Sequence, residues 1–223
     1  LCQTGKGLVG TVCCIYMFIM TLTTDPGVYL MWVTVIAFSI CCHEFAHAWV
    51  ACREGDSTAV EQGYLTMNPL RVMGMQSLVF LALFGIAWGS VPVRPAAMRR
   101  RHSHLLVAMA GPVMNLILAG AGVAVCAIMI RTASALAGLA ANPVFDMFLT
   151  IGTANFFLFM FNLLPVPVFD GWELYRSLFP ALRRVPPQQA QQWGFGLLLV
   201  ILLTGAYGYI WRFASFLTAV LMG

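Results

Sequence analysis

Apolar residues gather into six long tracts along this chain, at positions 8–22, 28–52, 77–93, 105–130, 144–170 and 193–211, with short polar stretches between them. A helix rises about 1.5 Å per residue, so about 20 apolar residues cross the roughly 30 Å hydrocarbon core of a bilayer. On that measure five tracts read as spanning helices. The remaining one, "SLVFLALFGIAWGSVPV" (77–93), is short, carries Gly85 and Gly89, and closes on Val-Pro-Val, which suits an extended edge better than a helix. The segment "TAVEQGYLTMNPL" (58–70) has short β-prone stretches about Gln62-Gly63 and predicts a small β-hairpin.

Composition agrees. The 223 residues are 61% hydrophobic and 9% charged, where a soluble domain carries about a quarter charged residues. The expected fold is an all-α polytopic membrane protein forming a single unit over 1–223, with five spanning helices, one re-entrant or interfacial segment and a small β-hairpin or sheet near the cytosolic face. Tract 8–22 follows Lys6 but lacks the small-residue cleavage pattern of a signal peptide, so it reads as a retained helix. The seven cysteines (Cys2, Cys13, Cys14, Cys41, Cys42, Cys52, Cys126) have neither disulfide-framework nor CxxC spacing and read as small buried hydrophobes.

The net charge of +4 comes from basic residues confined to a few short connections. That distribution reports membrane orientation, and no nucleic-acid partner is expected. If tract 77–93 crosses, Lys and Arg divide five against seven between the two sides. If it dips in and returns, Lys6, Arg53, Arg71, Arg94, Arg99, Arg100, Arg101, Arg176, Arg183 and Arg184 share one face, leaving Arg131 and Arg212 on the other. The second division is the asymmetry of a real topology. It sets tract 77–93 as re-entrant and the N-terminus in the cytosol. Non-helical backbone at membrane depth needs cover from protein or a water-filled cavity, so a cavity is expected near these residues.

Candidate chemistry lies in "ICCHEFAHAWV" (40–50). His43 and His47 are four apart and share one helix face about a turn apart, which suits two imidazoles on one metal ion. Glu44 adjoins the first of them and can reach a metal-associated water without displacing it, the HExxH arrangement of zinc metalloproteases. The rival reading is a pair of packing histidines. It is weakened by the cost of ionisable groups inside a membrane. A third ligand is required, and the soluble-zincin continuation fails because position 53 is Arg and position 50 is Val. The candidate is Asp170 in "FNLLPVPVFDGWEL" (161–174), where Pro165 and Pro167 break the helix and Gly171 permits a tight turn. The alternative for Asp170 is a helix cap. Topology favours the ligand: His43, His47 and Asp170 share a depth only if tract 77–93 does not cross.

These residues resemble the site-2 protease family of intramembrane zinc metalloproteases, in compact form without an appended peptide-binding or nucleotide-sensing domain. The likeness rests on HEFAH (43–47), LTMNPL (65–70), AWGSVPVRP (87–95), AGPVMN (110–115) and NLLPVPVFDG (162–171), and covers about residues 28–175. The resemblance implies that His43, His47 and Asp170 bind one Zn2+ per chain, that Glu44 is the general base, and that the zinc lies near the cytosolic face. "LRVMGM" after Asn68-Pro69 lacks a histidine that relatives often carry there.

Asn162, two turns before Asp170, and Asn115, in "AGPVMN", are further catalytic candidates, since either amide could hold a developing oxyanion. Asn162 is the stronger. Beside Asn115 the small residues Ala110 and Gly111 also suit close helix packing. His102 and His104 read as interfacial residues. The expected function is an intramembrane zinc endopeptidase of the plasma membrane, with its active site toward the cytosol, cleaving transmembrane segments of other membrane proteins. Its partners are then the lipid bilayer, substrate proteins and any regulatory protein that selects them. The rivals are a non-proteolytic metal-binding scaffold and a zinc or proton transporter.

Overall fold

The computed structural model describes residues 18–100, 102–132, 138 and 142–223. Its helices are residues 18–24 (α1), Pro26–Arg53 (α2), Thr58–Glu61 (α3), Pro69–Val72 (α4), Gly74–Phe84 (α5), Ser103–Thr132 (α6), Pro143–Asn162 (α7), Gly171–Leu178 (α8), Pro187–Thr204 (α9) and Tyr207–Met222 (α10). The same local device opens three of them. Asp25-Pro26, Asn68-Pro69 and Asn142-Pro143 each place a side-chain oxygen on free N–H groups of the first turn, while proline supplies a residue that needs no hydrogen-bond acceptor.

Three helices, α2, α6 and α7, are long and apolar enough to cross a membrane, and α9 with α10 makes a fourth if that bent pair is one span. The expectation of five spans divides accordingly. Most of tract 8–22, with Lys6, Cys2, Cys13 and Cys14, lies outside the described residues, as does Arg101. Tract 144–170 is helical only to Asn162 because Pro165 and Pro167 follow. Tract 193–211 is no straight helix: Gly205 takes a left-handed φ of 70° and the chain bends by 73° there. Of the described cysteines Cys41 and Cys126 are buried, but Cys52 is exposed at the end of α2.

Tract 77–93 folds back on itself. Helix α5 is 11 residues long, about 16 Å at the helical rise, and ends at a left-handed Gly85. The chain then returns beside it: Ser77 Oγ donates to the Trp88 carbonyl at 2.6 Å and accepts from the Trp88 N–H at 2.9 Å. The Ser90 N–H reaches the Val72 carbonyl at 3.1 Å. The exit is fastened to the C-terminal end of α2, where Arg94 N–H donates to the buried Asp56 carboxylate, Arg99 N–H to the Glu54 carbonyl at 2.9 Å, and Ser103 Oγ to Glu54 Oε2 at 2.6 Å. The tract therefore starts and finishes at the same end of α2, as the re-entrant reading requires.

The β-hairpin expected over 58–70 is not formed, and no strand occurs among the described residues. Side chains claim the backbone groups a hairpin would pair. Asp56 Oδ1 accepts from Thr58 N–H at 3.0 Å, and Asn68 Oδ1 accepts from Leu70 N–H at 3.0 Å and caps α4. The result is a helical turn, a loop through Gly63 at φ 71°, and a second helical turn.

Asp56 is fully buried. Burial pushes its carboxyl up, but hydrogen bonds from Thr58 and the Arg94 N–H, with the nearby Arg94 charge, hold it below its ordinary value of 3.8. Its pKa is thus lower folded than unfolded, so the stabilisation it gives is complete above that value and is lost as pH falls through the folded one. Thermal melting of Asp56→Asn should be lower than wild type at neutral pH, with the two curves converging in acid. Parallel curves across pH 2–7 would contradict this role.

Packing is tight at the centre. Val35, Ile36, Ile40 and Cys41 of α2 cluster with Val72, Met73, Leu81 and Ala154. Helices α6 and α7 meet at Gly122 and Gly152, where a Cβ on Gly122 would lie 2.7 Å from the Gly152 nitrogen. Large apolar side chains such as Ile117, Ile128 and Leu199 face outward, the disposition expected of a surface solvated by lipid.

Candidate metal centre

Helix α2 buries His43, Glu44 and His47 in its C-terminal half. Asp170 arrives from the turn after α7 and stands at the head of α8, yet its carboxylate makes no capping bond. Instead Asp170 Oδ2 lies 3.0 Å from His43 Nε2 and 3.4 Å from His47 Nε2, and the two Nε2 atoms are 3.0 Å apart. Four ligands at about 2.0–2.1 Å from a tetrahedral zinc stand about 3.3 Å from one another. Two nitrogens and one carboxylate oxygen facing a common point at that spacing are a fitting donor set for such an ion. They form the single His/Cys/Asp/Glu group of this kind among the described residues.

Gly171 serves this arrangement through space rather than through an unusual backbone angle. A Cβ there would meet the Asn162 carbonyl oxygen and Leu163 Cα at 2.8 Å, so the turn carrying Asp170 can double back onto the end of α7 only with glycine at this position. Tyr175 braces the turn by donating to the Leu163 carbonyl at 3.1 Å.

Helix α6 shapes the opposite wall with residues 107, 111 and 115, spaced four apart along one face. The Val107 carbonyl sits 2.7 Å from His47 Nδ1, and the Asn115 amide 3.0 Å from His43 Nδ1. If both Nε2 atoms carry metal, both Nδ1 atoms carry protons and need acceptors. Val107 supplies one. The Asn115 oxygen, a buried atom otherwise without a partner, supplies the other once the amide turns that atom toward His43. Asn115, a catalytic candidate by sequence, thus stands where it orients an imidazole.

Between them Gly111 lies against the imidazole edges. A Cβ on it would meet both Nε2 atoms, with His43 Cε1 at 2.5 Å. The small residue that suggested helix contact is therefore in contact with the imidazoles themselves. Gly89, from the returning arm of the re-entrant tract, does the same for Glu44: a Cβ there would lie 2.5 Å from Glu44 Cγ and 2.8 Å from Oε1. Gly89, Val107 and Gly111 were not singled out for the site by sequence. The four-residue spacing of 107, 111 and 115, echoing 43 and 47, is the signal that could have found two of them. Asn162 is half-buried at the end of α7, its carbonyl against Gly171. His102 and His104 are exposed and are not part of the metal group.

Comparison with known proteins adds kinship. A family model described as Peptidase family M50 matches residues 126–205. Curated relatives bear the name "Putative zinc metalloprotease". One, YwhC of Bacillus subtilis (strain 168), is 36% identical over 186 residues, which cover 82% of this chain and 83% of the relative. Rip2 of Mycolicibacterium smegmatis is 33% identical over 193 residues, 81% of this chain and 69% of the relative. Rip2 of Mycobacterium tuberculosis (strain H37Rv) is 34% identical over 188 residues, 79% and 68%. No solved structure matches the chain at comparable significance.

Proposed function

The chain belongs to peptidase family M50, and on that premise we propose that it is a zinc endopeptidase that hydrolyses peptide bonds of other membrane proteins within or near their transmembrane segments. The observation that carries this reading is the convergence of His43, His47 and Asp170 on one point beside a buried Glu44. His43, His47 and Asp170 are the ligands of one zinc ion. When bound, zinc supplies Lewis acidity that polarises a carbonyl and acidifies water.

The remaining work falls to side chains. Glu44 takes the proton of the attacking water and, protonated, delivers it to the leaving nitrogen. Asn115 and the Val107 carbonyl hold the imidazoles in the tautomer that leaves Nε2 free to ligate. Asn162 is the donor toward the carbonyl oxygen as it gains charge. A helical substrate hides its carbonyls in its own hydrogen bonds and must unwind locally. Residues 90–93, next to Gly89 and Glu44, supply an extended edge for the unwound strand, as in β-strand addition. Residues 58–67 offer no such edge, being folded into a helical turn and a loop through Gly63.

The reading places the site at the cytosolic side of a plasma membrane, in keeping with the ten-to-two division of basic residues. The test uses the full chain in nanodiscs with a helical reporter peptide. Wild type should hold about one zinc per chain and lose cleavage on chelation, with recovery on adding zinc. Asp170→Ala, lacking one of three protein ligands, should bind zinc at least about 100-fold more weakly. Cleavage indifferent to chelation, or metal flux through sealed vesicles without cleavage, would replace the protease with one of its rivals.

A further inference from the structure

One buried polar pair lies outside the machinery just described. Ser39 and Asn155 are both fully buried, and Asn155 Nδ2 donates to Ser39 Oγ at 2.8 Å and to the Ile151 carbonyl at 2.9 Å. Asn155 Oδ1 has no partner. Turning the amide would set its oxygen against the Ile151 carbonyl, so the donor stays where it is and the oxygen stays unpaired. As adhesive between helices this is a poor choice, because an aliphatic side chain would pack there without burying an unsatisfied acceptor. What an amide adds is direction.

The pair makes the one hydrogen bond between α2 and α7 among the described residues. The rest of that seam is apolar: Val35, Ile36 and Ile40 against Ala154 and Ile151. Such surfaces tolerate sliding, whereas a buried polar contact tolerates one register. Ser39 stands one turn before His43 on the His43/His47 face of α2. Helix α7 ends in the braced turn that delivers Asp170. A slip of one residue along α7 displaces that turn by about 1.5 Å, and metal–ligand distances tolerate about 0.2 Å.

We infer that Asn155 and Ser39 form the register key that sets the height of Asp170 against His43 and His47, making both of them positioning residues of the metal centre. The inference rests on the metal reading above, and its test separates the two. Full-length wild type, Asn155→Leu, Ser39→Ala, Ser39→Thr and, as a control in the other core cluster, Val123→Ala are prepared metal-free in nanodiscs. Three quantities are measured: zinc affinity by chelator competition, the visible spectrum after Co2+ loading, and metal-free melting.

Asn155→Leu should melt at or above the wild-type temperature, and Ser39→Ala, which strands a buried amide N–H, somewhat below it, yet both should bind zinc about 10–100-fold more weakly, with an altered Co2+ spectrum. Ser39→Thr, which keeps the hydroxyl, should retain wild-type affinity and spectrum. Val123→Ala should melt lower with affinity and spectrum unchanged. Wild-type affinity and spectrum in Asn155→Leu and Ser39→Ala would overturn the register key and leave the metal centre standing. Weaker binding by Asn155→Leu that merely follows lower melting would overturn it too. A wild type that binds no zinc would overturn the metal centre itself.

Discussion

Glu44→Gln should keep its zinc and lose its cleavage. Glutamine has nearly the shape of glutamate, and Gly89 leaves the pocket over residue 44 cut to that shape, so the fold has no reason to change. The ligand atoms of His43, His47 and Asp170 are untouched. What disappears is a carboxylate able to take a proton and give it back, a contribution commonly worth about 10²–10⁴ in rate. Zinc per chain should stay at the wild-type value while reporter cleavage falls by about a thousandfold. Undiminished cleavage by this variant would sink the mechanism, and loss of zinc would make residue 44 a ligand instead.

Gly111→Ala should lose the metal without losing the fold. One added methyl would meet the Nε2 atoms of both histidines, the very atoms that ligate. The imidazoles must swing away from it, giving up the contacts that Val107 and Asn115 make at their far edges, because α6 cannot back away while Gly122 seats it on α7. Alanine is the better helix former by about 1 kcal/mol, so the metal-free variant should show wild-type helical circular dichroism. Gly120→Ala is the matched control: it lies in the same helix, and nothing approaches its Cβ position within 4 Å. Near-stoichiometric zinc in Gly111→Ala would mean that the ion sits elsewhere.

What could be read from the chain, and what could not, follows from the range of the forces involved. HEFAH declares itself because two ligands four residues apart share a helix face whatever surrounds them. Asp170 could be inferred because an acid at the end of an apolar tract is costly, and because the charge asymmetry turned tract 77–93 back on itself. The hairpin over 58–70 failed for the opposite reason. Its β-prone residues are outvoted by Asp56 and Asn68, whose short side chains capture nearby backbone groups. The bend at Gly205 was invisible to a count of apolar residues, which measures length and not direction. Gly89 and Gly111 were hardest to see, since a glycine gives no sign of the neighbour for which it makes room.

The distribution of the ligands bears on how such a protein can be made. His43 and His47 lie on the first long described helix, and their remaining ligand lies beyond α6 and α7. A growing chain holds two of the three proposed ligands until both later helices have been made. On the function proposed above, competence to cut would be acquired late in synthesis, and a copy that stops before Asp170 would lack the third ligand.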